Sequence, residues 1–287
     1  MGTGAGPDLA AAVSNAGGFG VIGASAFLPD AIPGLIAQVR DRTARPFGVN
    51  FIIDERDSSD EDKAITRQQV NAAITERVAA VILFWGDPAP YVEEAHRYGV
   101  RIIIQVGSLD EAKAAAAAGV DAVIAQGVEA GGHVEGTTSI WTLLPAVVEA
   151  ITPRPVLASG GIGDGAGVAR AIGLGAQGVS LGTRFVASDE FSAHPAYKPG
   201  NRPGEGTSIG RRRIGSGDIV DWPRYAIGVA PPDFDGDIEY APLWAGESCS
   251  VVNDIKPAGD IVRDLARDAD AILAAAAGMP ETESRPS

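Results

Sequence analysis

The sequence predicts an α/β fold, a (β/α)8 TIM barrel with its first strand truncated, followed by an irregular cap segment and a C-terminal helix. Three observations predict it. Between Gly20 and Thr183, short and nearly continuous aliphatic runs alternate with helical patterns, and runs apolar on both faces belong to parallel sheets. The connections are short, as in repeating βα units. Polar residues or glycines close nearly every run, where barrel enzymes assemble sites from many strands; an open doubly wound sheet would concentrate them at one switch point.

The elements follow in order. "DLAAAVSNAG" from Asp8 reads as the first helix, and only "MGTGAGP" precedes it, too short and glycine-rich for a barrel strand. Either strand one is lost or the start lies upstream; the second is favoured, because a gap would expose strand edges and core. Seven strands are expected, at "GVIGAS" (Gly20), "FGVNFII" (Phe47), "AVILFWG" (Ala80), "RIIIQVG" (Arg101), "AVIAQG" (Ala122), "PVLASGG" (Pro155) and "GVSLGT" (Gly178). Helices are expected between them over Ala31 to Arg42, Lys63 to Val78, Tyr91 to Tyr98, Leu109 to Ala118, Trp141 to Ile151 and Gly165 to Leu174. Ser108 as N-cap, acids in the first turn and Gly119 as the stop punctuate the fourth of these.

After Ala187 the rhythm breaks. Residues 198–242 read as an irregular cap or insertion, and residues 243–287 as a C-terminal segment whose helix, Ala258 to Ala277, packs on the barrel through Ile261, Val262, Leu265, Ala269, Ile272 and Leu273. Residues 1–197 form the barrel, and "PETESRPS" after Met279 reads as a frayed tail.

Composition bounds the function. With 287 residues, 45% apolar and 21% charged, the chain can bury one large core. A formal charge of −14 opposes binding to nucleic acid or anionic lipid, since both need clustered cations and Arg211 to Arg213 is too short a cluster. No apolar run approaches the roughly 18 residues of a membrane span, and no signal peptide is evident. A lone cysteine, Cys249, makes no internal disulfide, so a reducing cytoplasm is expected. The histidines, His96, His133 and His194, are dispersed without carboxylates at ligand spacing, which argues against a metal site. No nucleophile elbow or Walker loop is present.

Two stretches point to an anionic ligand. "ASGGIGDGAGVARA" from Ala158 ends a strand in a glycine pair and opens a helix near Asp164, and "GVSLGTRF" from Gly178 ends the next strand in Gly182 and Thr183. Loops after the last barrel strands, beside a helix N-terminus, bind phosphate through backbone N–H groups. Asn50, Gln105 and Gln126 interrupt apolar strands. Buried amides cost about 1–3 kcal/mol unless paired, and three at comparable strand ends favour a planar hydrogen-bonding ligand such as a flavin. In "AQGVEAGGHVEG", Gly131 and Gly132 permit close approach of backbone to a ligand, and His133 can present a proton-transferring ring over it.

The motifs "GVEAGGHVEG", "ASGGIGDGAGVARAIGLGAQGVSLGTRFVAS" and "LAAAVSNAGGFGVIGAS" resemble the nitronate monooxygenase (2-nitropropane dioxygenase) family, which also includes flavin-dependent enoyl and quinone reductase relatives. The likeness runs from Met1 to about Tyr197 and returns from about Gly236 to Ala271. The resemblance implies an FMN-binding barrel in which Asn50, Gln126, Gly131, Gly161, Ser180, Leu181, Gly182 and Thr183 contact FMN, Gly161 and the last four at its phosphate. It implies His133 as the active-site histidine, acting as a base on nitroalkanes or orienting the substrate. The implied reaction oxidises an alkyl nitronate with FMN and dioxygen to a carbonyl compound and nitrite. The alternatives are an NAD(P)H-dependent FMN reductase of quinones or enoyl thioesters, and an inactive flavin or phosphate binder. A homo-oligomer stays open. Two departures stand out: the family strand before the first helix is missing, and residues 198–232 differ from the usual cap.

Overall fold

The computed structural model describes residues 2–53, 59–195, 232–233 and 244–278. The cap expected over residues 198–242, with Arg211 to Arg213, and the tail after Met279 lie outside the described residues, apart from 232–233. All seven expected runs form strands: β1 (Gly20–Gly23), β2 (Phe47–Ile52), β3 (Ala80–Phe84), β4 (Arg101–Val106), β5 (Ala122–Gln126), β6 (Val156–Ser159) and β7 (Gly178–Ser180). They pair in parallel in sequence order, β1 through β7. A doubly wound sheet would reverse direction partway, so this order is that of a barrel.

Strand parity divides the apolar residues into two layers. Val49, Phe51, Val81, Leu83, Ile102, Ile104, Val123 and Val156 face outward and are fully buried beneath the helices. Ala80, Ile82 and Ile124 face the lumen and form a small cluster with Val21, Ile103 and Leu157. Covering both faces is why the strands read as unbroken aliphatic runs, and each large aliphatic side chain so buried contributes about 1.5–3 kcal/mol.

The helices are α1 (Pro7–Asn15), α2 (Ile32–Arg40), α3 (Asp60–Thr75), α4 (Ala89–Arg97), α5 (Leu109–Ala118), α6 (Ile140–Ile151), α7 (Gly165–Gly173), α8 (Thr183–Val186) and α9 (Ala258–Ala277). Helix α5 has the expected ends: Ser108 and Glu111 form a capping box, and Gly119 closes it with φ = 90°. Helix α3 begins before the expected Lys63, because Ser59 and Asp62 make a second capping box within a charged stretch that hides the periodicity. Helix α8 was not expected; one turn is too short for a helical period to show.

Strands β7 and β1 are not paired with each other among the described residues. Helix α1 lies against β1 so closely that a β-carbon on Gly20 would stand 1.9 Å from the Ala10 carbonyl oxygen. Helix α9 packs on α7 and α1. Of its expected apolar face, Ile261 and Ala269 are buried, but Ile272 is 43% exposed. The reason is length: α9 has 20 residues and α7 only 9, so the last turns of α9 extend past the helix it covers.

Candidate active site

The C-terminal ends of the strands open into a cavity of about 530 Å³. Every residue expected to contact a ligand lines it: Asn50, Gln105, Gln126, Gly131, His133, Gly161, Ser180, Leu181, Gly182 and Thr183. Register explains the convergence of the last strands. Gln126 is paired with Ser159, and Ser159 with Ser180, so three polar side chains share one inward layer above the aliphatic one. Among the described residues, His133 is the only ionisable one in the lining.

The amides are held differently. Asn50 donates from Nδ2 to the Ile82 carbonyl (3.1 Å). Gln126 is 3% exposed and donates from Nε2 to the His133 carbonyl (3.1 Å), while its Oε1 is buried without a partner among the described residues. A buried acceptor left unmatched costs about 1–3 kcal/mol, and this one belongs to a cavity-lining side chain.

The loop after β5 is pinned along its length. Gly127 N–H donates to Ser159 O (2.9 Å) and Val128 N–H to Thr138 O (2.9 Å). The expectation that Gly131 frees backbone for a ligand is incomplete: a β-carbon there would lie 2.3 Å from both the Ala245 carbonyl carbon and the Gly246 nitrogen. Glycine at 131 lets two protein backbones touch, and Gly131 lines the cavity as well.

The His133 ring stands between two tryptophans, 5.3 Å from the Trp85 ring and 5.2 Å from that of Trp244. The ring makes no hydrogen bond among the described residues, and burial pushes its pKa down from the ordinary value of about 6.5. The imidazole is therefore neutral at pH 7, with a lone pair available. Trp85 directly follows β3 and holds φ = 58°, a left-handed conformation that costs a bulky residue about 1–2 kcal/mol. Such strain accumulates at functional sites. Sequence reasoning missed both tryptophans. A bulky residue between the end of β3 and Gly86 was a usable signal for Trp85; nothing local marks Trp244.

The expected anion site differs in part from its sequence reading. Asp164 caps α7 by accepting from Gly167 N–H (2.8 Å), so that helix end already carries a carboxylate. The donors left are in the loops: the N–H groups of Gly161, Gly182 and Thr183 have no acceptor among the described residues, and Gly161 lies at φ = 69°. Arg184, beside them in sequence, is buried and turned away, its guanidinium paired with Asp254 at 2.5 Å. An anion here would be held by backbone amides, with no Lys or Arg among the described residues of the lining. The unmatched Gln126 acceptor, the free loop amides and the mostly apolar described walls together fit FMN, whose ring carries an N–H donor and whose tail is a phosphate.

Among the described residues no cluster of His, Cys, Asp or Glu could hold a metal ion, and no helix is long and apolar enough to cross a membrane.

Comparison with known proteins gives one consistent neighbourhood. The nitronate monooxygenase family model matches residues 1–202. The nitronate monooxygenase of Pseudomonas aeruginosa is 31% identical, with 91% of this chain and 92% of that protein covered. FabK from Thermotoga maritima has a similar structure, with a TM-score of 0.80 at 31% identity over 96% of this chain and 92% of that one. Nitroalkane oxidase from Streptomyces ansochromogenes follows, with a TM-score of 0.76 at 25% identity over 95% of this chain and 94% of the other. Two other curated relatives are matched over 64% and 54% of their own length.

Proposed function

This chain belongs to the nitronate monooxygenase family, and from that premise we propose that it is an FMN-dependent oxidoreductase converting alkyl nitronates and dioxygen to carbonyl compounds and nitrite. The observation that carries the reading is the His133 imidazole, standing between Trp85 and Trp244 at a cavity whose other described lining residues are uncharged. The likeness to a nitroalkane oxidase supports the substrate class.

FMN supplies the electron transfer from nitronate to dioxygen. The chain supplies the rest. Gly161, Ser180, Leu181, Gly182 and Thr183 bind the phosphate, chiefly through backbone N–H groups whose partial positive charge suits an anion. Gln126 offers its unmatched carbonyl to the ring N–H, and Asn50 and Gly131 complete the contact. His133 accepts a proton at the carbon beside a nitro group, or holds the nitronate once formed; its depressed pKa keeps it in the basic form. Trp85 and Trp244 fix the ring and keep water from it. The expected setting is the cytoplasm, with small-molecule partners and no nucleic acid or membrane.

The test uses the purified chain. Added FMN should bind with a change in its visible absorbance, and an alkyl nitronate should then drive oxygen uptake with nitrite released. A flavin-loaded protein that is inert to nitronates yet bleached rapidly by NADH would overturn this reading in favour of a quinone or enoyl thioester reductase.

A further inference from the structure

Glu129 lies four residues before His133 and does not line the cavity. It nevertheless touches two segments that do, and the start of α6. Its carboxylate accepts a hydrogen bond from the Ser139 hydroxyl and another from Ile140 N–H (3.0 Å), at the start of α6. Its main-chain carbonyl accepts from Glu247 N–H (2.9 Å), three residues beyond Trp244. Its β-carbon is the nearest atom, at 3.0 Å, to where a side chain on Gly161 would begin.

We propose that Glu129 is the positioning residue of the site: its carboxylate ties the His133 loop to the start of α6, and the loop so held keeps the Gly161 turn, through the Glu129 β-carbon, and the segment bearing Trp244, through the Glu129 carbonyl, in place. The physical basis is the N-terminus of α6. Its unsatisfied N–H groups and positive dipole end favour a carboxylate, and charge-assisted hydrogen bonds hold that carboxylate firmly. A loop rich in glycine is thereby tied to a 12-residue helix that is itself packed into the core. Glu129 acts through this geometry and touches neither substrate nor cofactor. The inference rests on reading His133 as the reactive group.

The test reads the imidazole directly, in the flavin-free protein. Diethyl pyrocarbonate modifies exposed neutral histidines, and His133→Ala supplies the blank for His96 and His194. In Glu129→Ala, His133 should react faster by roughly tenfold, the scale of a local opening once a charge-assisted anchor is lost, and tryptophan fluorescence should shift. Glu129→Gln, which keeps an acceptor for Ile140, should stay near the parent. In the FMN-loaded enzyme, kcat of Glu129→Ala should fall by about 10²-fold, as for a reacting group misplaced by 1 Å, with Gln restoring it. Should Glu129→Ala not fold, Ser139→Ala removes one of the two carboxylate bonds and should give a smaller acceleration. Unchanged His133 reactivity in the folded alanine variants overturns the proposal, and so does a Gln variant as reactive as Ala. The modification assay needs no nitronate, so an inert parent enzyme would sink only the proposed reaction.

Discussion

Two histidines in this barrel occupy opposite environments. His96 lies on α4, half exposed, with Nε2 3.0 Å from the Asp121 carboxylate, which also accepts from Ile102 N–H at 2.8 Å. His133 lies at the mouth of the β-strands, between two indoles and without a carboxylate partner among the described residues. Burial among aromatic walls favours the neutral imidazole of His133. The same residue type is thus a surface tether in one region and a partly buried ring at the cavity in the other. Histidine content alone says nothing about reactivity; what surrounds the ring decides it.

The comparison is broken most severely at the ring itself. His133→Ala should lower turnover with an alkyl nitronate by about 10²- to 10⁴-fold, the usual contribution of a general base, while leaving FMN absorbance in place; steady-state oxygen uptake reads both. A next-largest effect is expected from Gly131→Ala. The added methyl group meets the backbone of Ala245 and Gly246, so the two segments must separate, at a cost of about 1–3 kcal/mol. Thermal unfolding and FMN titration should record lower stability and weaker cofactor binding together.

The pH dependence sharpens the contrast without any mutation. Because burial lowers the His133 pKa, the acid limb of kcat/KM should lie below the ordinary histidine value of about 6.5, and activity should persist into mildly acid solution. The stability linkage has the matching sign. A buried neutral histidine binds its proton more readily when unfolded, so its contribution is complete above the unfolded pKa and is lost as pH falls through the folded one. An acid limb above 6.5 would contradict the aromatic enclosure. The smallest effect is expected at the other histidine: His96→Ala should cost no more than about 1 kcal/mol, diminish further in high salt, and leave turnover unchanged.

Much of this architecture was legible in the residues. All seven strands could be located because aliphatic runs covered on both faces carry an unbroken signal, and α5 could be bounded because its caps are local chemistry. The residues expected around a ligand also converge on one cavity, since strand ends in a parallel barrel all open on the same side. The exceptions have physical causes. Helix α8 is a single turn with no period, and α3 starts inside a charged stretch where the cap, not hydrophobicity, sets the boundary. Trp244 and Glu129 escaped notice because their importance comes from partners far along the chain. The helix end near Asp164 reads from the sequence as part of an anion site, and in the structure Asp164 itself caps it, accepting from Gly167 N–H.

The sequence by itself determined the strand order, the placement of polar residues at strand ends and the glycine pairs beside them, because hydrophobic period and turn chemistry act between near neighbours. The tertiary structure alone decided that Gly131 must accommodate a second backbone, that Arg184 turns away from the anion loops to Asp254, and that two distant tryptophans enclose the imidazole. Those are contacts between segments brought together only when the sheet curls. Charge and proton affinity at His133 depend on the solvent that such contacts exclude, a quantity no local pattern encodes.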